Sequence, residues 1–164
     1  WRTHKVVPAK GYITAFNRSY YEDVLITRVH GLIEDKETAT RMKHIRQFEK
    51  LLTNNGVLLI KIFLHISPEF QLEKIRERLS DPEKLWKFDA SDLEERHYWD
   101  SYIDAYEDAF RHTATNHAPW HIIPANERWF RDYLVLRIIV SSLEKLDLSY
   151  PEPDIDTQKL LEQL

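Results

Sequence analysis

Three features of the sequence predict an α/β domain with a parallel sheet. The run V-L-L-I-K-I-F-L-H at 57–65 is almost continuously apolar and rich in β-branched residues. That composition suits a central strand covered on both faces. Shorter strand candidates stand at 12–16 and 120–124, and amphipathic segments of helical length separate all three. Strands alternating with helices are the pattern of a parallel sheet, whose sites form at the carboxyl ends of the strands.

The first candidate strand, 12–16, follows the breakers Pro8 and Gly11 and ends at the polar run Asn17-Arg18-Ser19. Ser19 and Glu22 have capping-box spacing, and Tyr21, Val24, Leu25 and Val29 continue as a short helical stripe. A helix is expected over about 38–55, with Met42, Ile45, Phe48, Leu51 and Leu52 on one face and Gly56 as its stop. After the strand at 57–65, Ser67 and Pro68 supply an N-cap and a first-turn proline for a helix to about residue 79. The charged segment 80–89 reads as a turn. Ser91 and Glu94 form another possible capping box, opening a helix to about residue 112 with Trp99, Tyr102, Ile103, Tyr106 and Phe110 inward. After the strand at 120–124, Asn126 is placed to cap a helix reaching about residue 146. The stretch 147–156 reads as extended, and 157–164 as one or two amphipathic turns.

With 164 residues, 43% of them hydrophobic and 12% aromatic, the chain can bury one ordinary core. Its net charge of −4 speaks against a protein that coats itself with polyanion, so no DNA or RNA partner is expected. No run approaches the roughly 20 apolar residues of a membrane span, and the first residues read as neither signal nor transit peptide. A cytoplasmic protein without membrane contact is expected. The absence of cysteine leaves a metal only oxygen or imidazole ligands, a set that suits magnesium. The three glycines, Gly11, Gly31 and Gly56, cannot form a G-x-x-x-x-G-K phosphate loop.

The residues that could carry chemistry each read two ways. Asn17-Arg18-Ser19 puts an arginine and free amides at a strand's carboxyl end, where an anion could bind, or it is simply a capped turn. Glu22 and Asp23 could approach magnesium or serve only the helix start. Lys74, Arg76, Arg78, Lys84 and Lys87 could close over a phosphate chain, or they could pair with Glu73, Glu77, Asp81 and Glu83 on the surface. Trp86, Trp99, Trp120, Trp129 and Phe88 read as core anchors rather than stacking platforms. His117 and His121 flank Pro119, so their spacing does not make a zinc pair, and no nucleophile-elbow serine is present.

Long stretches in the same order nevertheless resemble the family-2 polyphosphate kinases. They are W-R-T-H-K-x-x-P-A-K-G from Trp1, F-N-R-S-Y-Y-E-D-V-L from Phe16, F-L-H-I-S from Phe63 and R-L-S-D-P-E-K-L-W-K-F from Arg78. W-D-x-Y-x-x-A-Y-E from Trp99, A-P-W-H-I-I-P-A-N from Ala118 and Tyr150-Pro151-Glu152-Pro153 complete the match. The resemblance implies a P-loop-kinase-like three-layer α/β/α fold, similar to thymidylate and adenylate kinases, with a helical lid. On this reading 1–153 is a partial kinase domain with its lid at about 68–112, and 154–164 is a tail. It also implies magnesium-dependent phosphoryl transfer between inorganic polyphosphate and ADP, and a homo-oligomer; the N-R-S form looks like that of relatives accepting AMP as well.

By the same resemblance Asn17, Arg18 and Arg78 are catalytic, with Asn17 and Glu22 ordering the metal. Ser19, Tyr21, Lys74, Lys84 and Lys87 would bind substrate. Lys74 stands where many relatives have arginine, which keeps the charge and loses the bidentate fork. Relatives carry, upstream of Trp1, a strand and a G-x-D-x-x-G-K loop that this sequence lacks. A start at Trp1 therefore reads as an excerpt of a longer chain. The excerpt alone is expected to be inactive and to expose an unpaired sheet edge. Two rival readings stay open: an ATP-using nucleotide kinase, and a non-catalytic oligomerisation fragment.

Overall fold

A computed structural model describes residues 3–150, 154, 155, 160 and 161. Expectations for Trp1, Arg2, Pro151-Glu152-Pro153 and most of the tail lie outside the described residues. In chain order, a 3-10 turn at Tyr20–Val24 leads into helix α1 (Ile26–Val29) and then α2 (Asp35–Asn54). Strand β1 (Lys61–His65), α3 (Pro68–Ser80), α4 (Ser91–Glu95) and α5 (Trp99–Thr113) follow, then β2 (Trp120–Pro124) and α6 (Arg128–Glu144). β1 and β2 pair in parallel, Lys61 opposite Trp120 and His65 opposite Pro124. The helices between them provide the crossover a parallel pair needs. No helix among the described residues is long and apolar enough to cross a membrane.

The expected strand at 12–16 does not pair: among the described residues the sheet has two strands, not three. Extended backbone becomes a strand only when a neighbour takes up its N–H and C=O groups, and Tyr12 and Ile13 instead lie exposed. For the same reason only Lys61–His65 of the run 57–65 joins the ladder. Leu64 is exposed, so cover on both faces is incomplete.

Several helix boundaries follow the expected caps. Ser67 accepts the Phe70 N–H at 3.2 Å, opening α3 on Pro68. α2 stops in a Schellman motif, with Val57 N–H on Leu52 O at 3.1 Å and Gly56 N–H on Thr53 O at 3.1 Å. Gly56 takes φ +81°, a conformation open to glycine and costly for most other residues.

Other caps differ. The carboxylate of Asp89, rather than a Ser91–Glu94 box, receives the Ser91 N–H and hydroxyl, each at 2.9 Å. The expected helix 91–112 is divided by a 3-10 turn at Arg96–Tyr98. Asn126 does not cap α6, because its Oδ1 accepts the Ser67 N–H at 3.1 Å and ties the start of α3 to the end of β2. Ser19 caps by accepting the Tyr21 N–H, but Glu22 turns away to pair with Arg18 at 3.6 Å and completes no box.

The core forms where the turn at 20–24, α2 and α5 meet. Tyr21, Val24, Leu25, Met42, Ile45, Ala105 and Ala109 are buried together. Ala105, Ala109 and Thr113 repeat every four residues along α5, and small side chains on that face let α2 approach closely. The aromatic residues of α5 flank this seam and cover the sheet: Phe63 lies 4.4 Å from Tyr106, and Phe110 5.0 Å from Trp120, ring centre to ring centre. On α2, Leu51 is exposed and Glu49 is buried, the reverse of what polarity alone predicts. Trp86 and Trp129 are 79% and 72% exposed, so the core-anchor reading holds for neither.

Candidate functional site

Both strands end at one place. A cleft of about 310 Å³ opens at the carboxyl ends of β1 and β2, lined by His65, Ile66, Ser67, Pro124, Asn126 and Phe130 among others. The Asn126–Ser67 hydrogen bond closes its floor between the starts of α3 and α6. All of the named residues but Phe130 lie in the F-L-H-I-S and P-A-N stretches that carried the resemblance. Sequence reasoning gave Ser67 and Asn126 only capping roles and assigned none of these residues to a ligand site. The available signal was a strand running straight into a helix start, twice.

The Asn17-Arg18-Ser19 turn lies between the unpaired segment 12–16 and the 3-10 turn at Tyr20–Val24. Arg18 adopts φ 71°, unusual for a residue other than glycine, and its side chain is 82% exposed beside Glu22. Strain of this kind persists where the surroundings over-determine it.

What lies behind the turn supplies that constraint. Tyr20 and Tyr21 both donate their hydroxyls to Oε1 of Glu49, at 3.0 and 2.8 Å. Lys61 Nζ donates to Glu49 Oε2 at 2.9 Å, to the Tyr21 hydroxyl at 3.0 Å and to Thr113 O at 2.9 Å. All three ammonium protons thus have acceptors. Trp120 Nε1 donates to Thr113 Oγ1 at 3.0 Å and its ring faces the ammonium at 5.0 Å. Burial, and then the Glu49 charge, push both tyrosine hydroxyls far above their ordinary range, while burial pulls the Lys61 ammonium down.

This buried network was not read from the sequence, where Lys61 looks like an interruption of an apolar run. It also relocates Tyr21, expected among the substrate-binding residues. With 2% of its surface exposed and its hydroxyl fully engaged, Tyr21 supports the turn from behind and offers a ligand nothing.

The basic segment at 74–87 is separate. Lys74 pairs with Glu77 at 2.6 Å, Lys84 with Asp81 at 2.5 Å, and Arg78 with Asp92 at 3.4 Å. Lys87 lies over the exposed Trp86 ring at 5.1 Å. The Glu77 and Asp81 carboxyls are held below the usual range, first by the hydrogen bonds from Lys74 and Lys84 respectively. Among the described residues no hydrogen bond or ion pair joins this group to Arg18 or Ser19, so the two basic sites are not assembled into one.

For a metal, the turn at 17–22 offers the Asn17 amide oxygen and the Glu22 carboxylate. Among the described residues no three His, Cys, Asp or Glu side chains group as a ligand set. Such sparse oxygen donors fit a magnesium ion carried mainly by phosphate and water.

Parallel strands ending at one cleft, with a strained arginine turn and a cationic helical segment, define an α/β domain of the kind that binds ligands at its strand ends. The family model described as polyphosphate kinase 2 matches residues 1–151, and the chain belongs to that family. An AMP/ADP-polyphosphate phosphotransferase of Meiothermus ruber is 48% identical over 98% of this chain and 60% of its own length. An ADP-polyphosphate phosphotransferase of Rhodopseudomonas palustris is 40% identical over 100% of this chain and 61% of its own. The crystal structure of polyphosphate kinase 2 from Arthrobacter aurescens superposes with a TM-score of 0.96 at 43% identity, over 99% of this chain and 58% of that one. The fold is thus P-loop-kinase-like α/β. The chain spans about three fifths of the length of these relatives.

Proposed function

We propose that the protein to which these residues belong transfers phosphoryl groups between inorganic polyphosphate and ADP, with AMP as a further acceptor, in the cytoplasm and as a homo-oligomer. The observation that carries this reading is identity of 48% across 98% of the chain with a relative whose name states that reaction. An oxygen of the nucleotide's terminal phosphate attacks the end phosphorus of polyphosphate, the bridging P–O bond breaks, and the polymer leaves one unit shorter. Such a transfer asks the protein for position and charge stabilisation more than for covalent chemistry.

Arg18 takes a phosphate at the turn, Asn17 and Glu22 hold the water shell of magnesium, and Ser19 caps that turn. Magnesium, when bound, neutralises charge on the phosphates. Arg78, Lys74, Lys84 and Lys87 belong to a lid at about 68–112 that closes over the phosphate chain, the first three exchanging their carboxylate partners for phosphate. Tyr21 is a positioning residue. Residues 1–164 by themselves do not turn over, since the sequence holds no glycine-rich phosphate loop.

The test is ATP formation from ADP, polyphosphate and magnesium, by residues 1–164 and by the same residues extended with the upstream segment of the Meiothermus ruber relative. ATP from the extended chain alone is expected. ATP from the short chain overturns its inactivity, and phosphorylation of AMP by an ATP donor but not by polyphosphate makes the protein an ordinary nucleotide kinase. In the extended chain Arg18→Ala is expected to lower kcat roughly 10²–10³-fold, as loss of one transition-state donor does.

A further inference from the structure

Beneath the Arg18 turn, separate parts of the fold converge on the ammonium of Lys61. The residue stands on β1 and donates to the Tyr21 hydroxyl, to Glu49 on α2 and to the carbonyl of Thr113, the last residue of α5. Trp120 of β2 faces the same ammonium with its ring and donates to the Thr113 hydroxyl. Tyr21 is three residues beyond Arg18 in the chain, and its N–H is held by the Ser19 hydroxyl at 3.2 Å. A short, capped stretch of backbone therefore joins an exposed arginine at φ 71° to a lysine side chain only 4% exposed.

Stability alone does not call for an ammonium here. A buried ion pair is often replaced by apolar side chains of similar volume without loss of stability, because desolvation offsets the attraction. What the pair adds is direction. Each donated bond fixes a distance and an angle, whereas an apolar contact tolerates sliding. Three directed bonds leave Lys61 for three parts of the chain, and one of them ends on the residue that continues the Arg18 turn. Group transfer is sensitive to register of this kind, since misplacing a positioned group by about 1 Å costs roughly a hundredfold in rate.

We propose that Lys61 is a positioning residue for phosphoryl transfer, its buried ammonium holding the Arg18 turn in register with β1 and the end of α5 through the Tyr21 hydroxyl. The effect on rate rests on the function proposed above; the effect on the turn rests on the geometry alone. Lys61 touches no reacting atom. Its contribution passes through Arg18 and is bounded by what Arg18 itself supplies.

Kinetics and proteolysis of the extended chain test this, with the folding of each variant checked by circular dichroism. Lys61→Met should lower kcat roughly ten- to a hundredfold, no further than Arg18→Ala does, with a smaller change in KM. Added to Arg18→Ala, the same substitution should lower kcat by less than about twofold more, because the arginine it positions is gone. A merely structural lysine would multiply its own loss onto that of Arg18→Ala. Should Lys61→Met not fold, Glu49→Gln joined to it removes the stranded charge, and the pair of substitutions is read in the same way. Trypsin reads the turn without catalysis. The left-handed φ of Arg18 withholds the Arg18–Ser19 bond from a protease that needs extended backbone. Lys61→Met should therefore speed cleavage there by roughly fivefold or more relative to cleavage after Lys87, as local opening does and global unfolding does not. Unchanged kcat, losses that multiply, or an equal rise at both cleavage sites overturns the proposal. If the extended wild-type chain makes no ATP, the function proposed above fails, and the cleavage ratio alone decides this inference.

Discussion

Lys61–Glu49 and Lys74–Glu77 are lysine–carboxylate pairs of similar length, 2.9 and 2.6 Å, in opposite surroundings. The first has side chains 4% and 0% exposed and holds the base of the Arg18 turn; the second is 29% and 48% exposed, on the candidate lid. A buried pair is costly to break, because the survivor keeps its desolvation penalty without its partner. Partners on the surface exchange one another for water or another anion at little cost. The two regions divide their labour accordingly. The Arg18 turn is fixed by charges it cannot release, and the basic helical segment is tethered by charges it can.

The largest expected effect breaks the rigid side of that contrast. Lys61→Met leaves Glu49 buried and uncompensated and should cost about 3–5 kcal/mol in urea unfolding. Glu49→Gln with Lys61→Met should cost less than the two single losses added, because one network is being removed rather than two.

The next effect sharpens the contrast through pH. Tyr20 and Tyr21 keep their protons in the folded chain well beyond the point where the unfolded chain releases them, near pH 10. The folded state then binds more protons, so stability from these groups is complete below about pH 10 and falls as pH rises above it. Lys61 works the other way just below its ordinary value, where the unfolded chain holds the extra proton and stability rises with pH. Stability measured from pH 9 upward should pass through a maximum near pH 10, and Tyr20→Phe should flatten the decline. A decline equally steep in that variant would place the alkaline transition elsewhere.

The smallest expected effect lies on the candidate lid. Lys84→Ala removes the Asp81 pair and should leave the thermal midpoint where it was. In the extended chain the same change should raise KM for polyphosphate. A lowered midpoint with unchanged KM would make the 74–87 segment a structural brace.

Much of this was legible in the sequence because it depends on near neighbours. Trp120–Pro124 emerged at its expected bounds, and Ser67-Pro68 and Gly56 marked helix ends, since caps and stops are settled within a few residues. Asn126 misled for the complementary reason: its amide has two possible partners, and the one 59 residues away in sequence won. The site divided likewise. Arg18 and the basic segment were visible from charge and position, whereas the cleft required β1 and β2 side by side.

The sequence by itself determined the family, the helix-and-strand alternation and the charges available to bind phosphate, because order and composition survive without any folding. Only the tertiary structure decided that Glu49 and Lys61, twelve residues apart and on different elements, neutralise each other beneath Tyr20 and Tyr21. It also decided that 12–16 stays unpaired. Burial, pairing and exposure are properties of what lies across the space from a residue, and no local pattern states what that will be.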